Sequence, residues 1–359
     1  MTVSIPRSVE EITPQWFEEI VFPDSGFPRL TRITKTNVGE ERGFLSQTFK
    51  VELHFGDTAS VTLPKSVIVK LQPTSGLYKA TAKELHAFRR EVSFYRDVAP
   101  TAPVRLPEIY FADTTTGAGA LVMEDLGSLA SGDQILGIEH SQAVATAREI
   151  AKIHAAYWNS PKLESLDWAP ARDHFNADHY VEHWPKFAKA FGTKIGAEAL
   201  NIGAKVAKNL NWLEEKIASR PTSIIHGDLR ADNLMFSRET GDDEVVILDW
   251  QLVTKNLGAI DIARLLGGSE PILQRQGHQM EIVHAWHGSL LEAGITDYSR
   301  SEAEDDFRLG ILHCLLIPVN IYSRGGGTAT GRRQQLIDVI VSRFFAAALE
   351  LNAGSVLPD

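Results

Sequence analysis

Between Thr48 and Phe55 the chain alternates at a period of two. Phe49, Val51, Leu53 and Phe55 are apolar, and Thr48, Lys50, Glu52 and His54 are polar. That period belongs to a strand with one face in a core and the other in water. Gly56-Asp57 is a turn signal, and Ala59, Val61 and Leu63 resume the alternation. After Pro64, the run Val67-Ile68-Val69-Lys70-Leu71 reads as a third strand, apolar enough to be central. Three neighbouring strands with short links imply an antiparallel meander.

The period then changes. Leu85, Phe88, Val92 and Tyr95 fall on one helical face, in a segment that ends before Pro100. Two further strands are expected near residues 107–112 and 120–124, with a Thr/Gly-rich turn between them. The first part of the chain therefore reads as a five-stranded antiparallel sheet with one helix after its third strand. From Ser141 onward the pattern is mainly helical, with helices expected over residues 141–158, 177–191 and 197–220 and again from Ala259 onward. Residues 223–252 interrupt this with short strands that bracket a loop. At 359 residues the chain is longer than one core usually holds. The break near Asp125-Leu126-Gly127 divides it into domains 1–125 and 126–359, an α+β organisation.

The candidate chemistry sits in that interruption. The run is Ile224-Ile225-His226-Gly227-Asp228-Leu229-Arg230-Ala231-Asp232-Asn233-Leu234-Met235-Phe236, followed by Val245-Val246-Ile247-Leu248-Asp249-Trp250-Gln251. Phosphoryl transfer asks a protein for a carboxylate near the attacking hydroxyl and for oxygen ligands to a magnesium ion. An Asp, an Asn five residues on and an Asp closing an apolar strand supply that set, and kinase catalytic loops share the Asp-to-Asn spacing. Each residue alone reads more simply as a turn former or a helix cap; the ordered set does not.

Other classes are excluded or disfavoured. There is no G-x-x-x-x-G-K-[ST] and no G-x-G-x-x-G, hence no P-loop or Rossmann fingerprint, and no H-E-x-x-H. The formal net charge of -10 argues against nucleic acid as a partner. Cys314 is the one cysteine, so no intrachain disulfide and no cysteine-built zinc site can form. The first twenty residues lack a signal-peptide apolar core. The longest apolar stretch, residues 309–322, is interrupted by His313, Pro318 and Asn320 and is too short to span a bilayer. A cytoplasmic location without membrane association is the expectation.

The two motifs resemble those of the aminoglycoside phosphotransferase and choline kinase superfamily, which has a protein-kinase-like fold. Ala151-Lys152-Ile153-His154-Ala155-Ala156-Tyr157-Trp158 and Leu166-Asp167-Trp168 look like its ecdysteroid kinase-like branch. The resemblance implies a bilobal molecule: an N-terminal ATP-binding lobe of five antiparallel strands plus a helix, and a mainly helical C-terminal lobe. It implies ATP and Mg2+ as cofactors, Asp228 as the catalytic residue, and Asn233 and Asp249 as metal ligands.

It also implies a lysine on the third strand, paired with a glutamate on the next helix. Lys70 and Glu91 match, with Glu84 as the alternative partner. Residues 37–46 occupy the place of a phosphate-covering loop, with Ser46 near phosphate or simply in a hairpin loop. Leu121-Val122-Met123-Glu124-Asp125-Leu126-Gly127 resembles the linker strand. Adenine would then bond to backbone at Glu124 and Leu126, beside Met123. Asp261 is expected to cap a helix and buttress the catalytic loop, and His226 to orient that loop.

The expected activity is phosphorylation of a hydroxyl on a small molecule. Gly227 stands where protein kinases usually carry an arginine, and only twelve residues separate Asp249 from Asp261. A phosphorylatable activation loop has little room there. The alternatives are a catalytically silent nucleotide-binding module and an aminoglycoside-modifying resistance kinase. Tyr157, Trp158, Trp168, Phe175, Tyr180, Trp184, Phe187 and Phe191 are expected to be mostly helical core, with a substrate wall as the other reading. The acidic run 301–306 reads as a helix start.

Overall fold

The computed structural model describes residues 5–23, 29–38, 46–56, 64–73, 85–115, 117–171, 177–239, 243–324 and 329–358. Residues 39–45 and 59–63, Glu84, Phe175 and the glycine-rich run 325–327 lie outside that description. The chain separates into two units. One takes Met1–Thr101, Arg105–Ser128 and the short piece Leu248–Leu252; the other takes Ala102–Val104, Leu129–Ile247 and Val253–Asp359.

The first unit is built on a five-stranded antiparallel sheet. Its strands are β1 (Leu30–Asn37), β2 (Gln47–Phe55), β3 (Ser66–Leu71), β4 (Ile109–Thr115) and β5 (Ala118–Glu124), in the spatial order β1-β2-β3-β5-β4. β3 pairs on both sides, so Lys70 stands opposite Thr48 of β2 and Leu121 of β5. Four of the five expected strands appear here as β2 to β5, the one expected at 59–63 falls outside the described residues, and β1 is additional. β1 carries no strand signal in the sequence, because only Leu30 of its eight residues is buried. An edge strand that keeps its side chains in water leaves no apolar alternation to detect.

Residues near the start of the chain cover one face of this sheet. Ile5, Ile12, Trp16, Phe17 and Val21 share a core with Val51, Val67, Val69, Ala120 and Val122. A helical turn begins there because Thr13 Oγ1 accepts the Trp16 amide at 3.1 Å, with Pro14 at the first helical position. Lys35 on β1 donates to the Val9 and Ile12 carbonyls, at 2.6 and 3.1 Å. Glu18 accepts the Leu30 amide at 2.6 Å.

The helix Ala87–Asp97 follows β3 in sequence and buries Phe88, Glu91, Val92, Phe94 and Tyr95. It approaches the sheet closely at Gly119, where an added Cβ would lie 2.5 Å from the Phe88 ring.

The second unit is mainly helical. Its longer helices are His140–Ala156, Ala177–Ile195, Ala197–Lys208, Leu210–Ala218, Ala259–Ser269, Glu281–Glu292, Arg300–Cys314, Leu316–Ser323 and Gly331–Glu350. The single helix expected over 197–220 is two helices. Asn209 breaks it by leaving helical geometry and donating its side-chain amide to the Lys205 carbonyl at 3.1 Å. Ala259–Ser269 is buried on every side, which makes it the central helix of this unit. Leu234–Phe236 lies between Ala130–Ser131 and Val245–Ile247 in a three-stranded sheet, and Ser223–Ile225 pairs with Thr254–Asn256.

Tyr157, Tyr180, Trp184, Phe187 and Phe191 are buried, and Trp184 and Phe187 pack against Phe345. These aromatics are core. The acidic run begins a helix, with a capping box between Ser299 and Glu302. Among the described residues, no helix is long and apolar enough to cross a membrane.

Candidate active site

In the first unit, two carboxylates meet at one ammonium. Lys70 Nζ lies 2.5 Å from Glu91 Oε1 and 3.0 Å from Asp249 Oδ1. Burial alone would lower the lysine pKa, but the Asp249 and Glu91 carboxylates outweigh it, so the pKa is raised and the group stays charged. Burial pushes Glu91 above the usual carboxylate range, against the pull of Lys70. Glu91 Oε2 and the Tyr95 hydroxyl, one helical turn apart, are buried with no hydrogen-bond partner among the described residues. Burial also raises Tyr95, which keeps its hydroxyl protonated.

Asp249 has a φ of 66°, a left-handed conformation that Asp tolerates better than most residues. Its second oxygen accepts the Gln251 side-chain amide at 2.8 Å. The next residue, Trp250, is fully buried and stacks on Phe94 with ring centroids 3.8 Å apart. Asp249 is thereby fastened, through the next residue, to the helix that delivers Glu91.

The linker segment leaves β5. Met123 is buried, opposite Ile68 and Ile109. The Glu124 amide is bonded to the Glu108 carbonyl at 2.8 Å. Its carboxylate is held by Arg105 at 2.6 Å. Only its carbonyl could serve a base. Leu126 differs, since its amide and carbonyl have no partner among the described residues. The turn after β5 is fixed by Asp125, which accepts from Ser66 at 2.5 Å, Lys50 at 2.7 Å and the Gly127 amide at 3.0 Å. Ser46 lies at the start of β2 with its hydroxyl 3.4 Å from that of Thr48.

In the second unit, the loop 226–233 is built around two aspartates. Asp261 Oδ2 accepts the His226 amide at 2.6 Å, and its Oδ1 accepts the Gly227 amide at 3.0 Å. Asp261 therefore buttresses the loop and does not cap its own helix, where Gly258 stands at the cap. Gly227 has a φ of 78°, which a side chain would strain.

His154 supports Asp261 from below. Trp286 donates to His154 Nδ1 at 2.9 Å, so the ring proton sits on Nε2, 3.3 Å from Asp261 Oδ2. His226 Nδ1 accepts the Asp228 amide at 3.2 Å, an orienting contact and not a basic one.

Asp228 is held by two arginines. Arg264 reaches its Oδ1 at 2.5 Å and Arg230 its Oδ2 at 3.0 Å. Burial would raise this carboxyl, but the guanidinium charges of Arg230 and Arg264 prevail and hold it well below the usual carboxylate range. Asn233 donates its side-chain amide to the Asp228 carbonyl at 2.9 Å and to Oδ2 at 3.3 Å. With its nitrogen so engaged, the Asn233 amide oxygen is the atom left to face a cation.

Arg230 also bonds Asp232 and, at 2.8 Å, Gln134 Oε1. No sequence motif marks Arg264 or Gln134 for this site. Arg230 stands two residues from Asp228, within side-chain reach, and is the one with a local signal.

The α+β fold is shared with solved structures described as small-molecule phosphotransferases and kinases. A model of the ecdysteroid kinase-like family matches residues 40–295, and the chain belongs to that family.

A solved structure from Ralstonia eutropha, described as an aminoglycoside phosphotransferase, is similar with a TM-score of 0.58 and 16% identity, over 96% of this chain and 98% of that one. A second aminoglycoside phosphotransferase, bound to ADP, is similar with a TM-score of 0.50 and 12% identity, over 89% and 95% of the two chains. Among curated proteins, Arabidopsis thaliana IBR3, named an acyl-CoA dehydrogenase, is 25% identical over 254 residues. That match spans 67% of this chain and 28% of the Arabidopsis protein.

Proposed function

We propose that the chain transfers the terminal phosphoryl group of ATP, with Mg2+, to a hydroxyl of a small molecule. The observation that carries this reading is the paired construction of the loop. Asp228 is fixed and ionised, and Asn233 is turned so that its oxygen is available beside it. The donor set fits the group: Lys70 supplies a buried charge for phosphate, and Asn233 and Asp249 supply oxygens for a hard cation. Leu126 leaves backbone groups open to an adenine edge. Magnesium, when bound, would neutralise charge on the phosphates.

The chain's own residues then have distinct tasks. Lys70, steadied by Glu91, orients phosphate oxygens. Asp228 orients the acceptor hydroxyl. Two guanidiniums keep it a weak base, which suits a loose transfer in which the hydroxyl proton leaves late. Asp261 and His154 keep the loop in place.

The test is incubation of the purified chain with Mg-ATP and a panel of hydroxylated metabolites, with products read by mass. Asp228→Ala should bind nucleotide as the wild type does and yield no phosphoester. Wild-type turnover in that variant would refute the mechanism. A second reading, a nucleotide-binding module without turnover, draws on the engagement of both Asp228 oxygens by arginine. Tight ATP binding with no product across the panel would favour it.

A further inference from the structure

We propose that Arg343, in the helix Gly331–Glu350, is a positioning residue for the loop that carries Asp228. The proposal rests on the phosphotransfer reading of that loop. Arg343 lies outside residues 40–295, the stretch matched by the family model.

Arg343 is buried. Its guanidinium bonds go to carbonyls in two segments. One is the turn after Gly132: Nη1 reaches the Gln134 carbonyl at 2.7 Å and Nη2 the Ile135 carbonyl at 3.0 Å. The other is the end of the helix Ala259–Ser269, where Nη1 lies 3.4 Å from the Gly268 and Ser269 carbonyls. Those are among the last carbonyls of a helix, which lack partners within it.

Each segment then runs directly to the loop. The Gln134 amide donates to Asp232 Oδ1 at 2.8 Å, and Gln134 Oε1 accepts from Arg230 at 2.8 Å. Ser269 Oγ accepts the Ala231 amide at 2.8 Å. Three consecutive loop residues, 230 to 232, are thus referred to one guanidinium, and Arg230 completes the path with its contact to Asp228 Oδ2.

The placement of Arg343 is itself locked. Arg275 donates to the Arg343 carbonyl at 2.8 Å, to the Leu266 carbonyl at 2.8 Å and to Glu350 at 2.9 Å. A planar fork that spans two segments is a task an ammonium cannot reproduce.

The experiment compares the full chain with Arg343→Ala by two measurements. The first is steady-state hydrolysis of Mg-ATP, with water as acceptor. The second is amide hydrogen exchange at Gln134 and Ala231, with the helix Glu281–Glu292 as internal reference. The variant should lose roughly tenfold to a hundredfold in kcat, with KM for ATP within about twofold. The two amides should exchange faster while the reference helix does not change. Added guanidinium should restore both readouts.

Wild-type kcat and wild-type exchange would overturn the proposal. So would faster exchange spread equally through the reference helix, which would mark a general loss of stability. Should Arg343→Ala fail to fold, Arg343→Lys carries the same readouts. If the wild type hydrolyses no ATP, the phosphotransfer reading loses support, and the exchange comparison still decides whether Arg343 holds the loop.

Discussion

The indole of Trp250 lies flat on the ring of Phe94, with centroids 3.8 Å apart and planes 7° apart. Trp250 follows Asp249, and Phe94 stands three residues after Glu91, so one stacked pair sets the distance between two partners of Lys70. Trp250→Ala should cost about 3–5 kcal/mol, the usual range for emptying a buried aromatic site. It should also weaken nucleotide binding, because Asp249 loses its anchor. Denaturant titration and calorimetry with ATP measure the two effects; an unchanged midpoint would contradict the packing argument.

Asp228 predicts a pH signature. Its folded pKa is depressed, so its ionised form stabilises the fold above the unfolded value of about 3.9, and that contribution is lost as pH falls towards the folded value. Asp228→Asn leaves Arg230 and Arg264 uncompensated and should cost about 3–5 kcal/mol at pH 6. The gap between wild type and variant should narrow below about pH 4. Paired urea titrations at pH 6 and pH 3 test this, since every other carboxyl is common to both proteins. A gap that stays constant or widens at low pH would count against it.

Asp249 and Asn233 predict a metal dependence. Calorimetry should show ATP binding more weakly to the wild type once Mg2+ is removed. Asp249→Asn should bind ATP weakly with or without the metal, and so lose most of that difference. A variant that keeps the full metal effect would remove Asp249 from the ligand set.

Asp261 predicts a loss of loop order. Asn at this position offers one acceptor oxygen where the carboxylate offers two, so either the His226 or the Gly227 amide is left facing an NH2 group. Asp261→Asn should destabilise by about 1–3 kcal/mol. It should also slow Mg-ATP hydrolysis more than it changes KM for ATP. Wild-type stability and turnover together would contradict the buttress.

The sequence conveyed local periodicity and motif order well. The alternation from Phe49 to Phe55 and the apolar run at Val67–Leu71 appear as strands because both are half or wholly buried. Lys70 and Glu91 were named only through a family resemblance, since nothing in a strand lysine specifies its partner. Arg264 and Asp228 are 36 residues apart, and Arg343 and Gln134 are 209 apart. No spacing rule connects such pairs; only packing of the central helix does. The cover formed by Trp16 and Phe17 was equally hidden, because short helical turns carry too few residues to show a period.

The piece Leu248–Leu252 belongs to the first unit although more than a hundred residues of the second are synthesised before it. On the ribosome, the sheet can pair once β5 has emerged, but Phe94 then has no ring to stack on and Lys70 has only Glu91. The site in this unit is completed only by a segment that follows Ser128 by more than a hundred residues of sequence. A fragment ending at Ser128 would therefore carry the whole sheet and still lack Asp249.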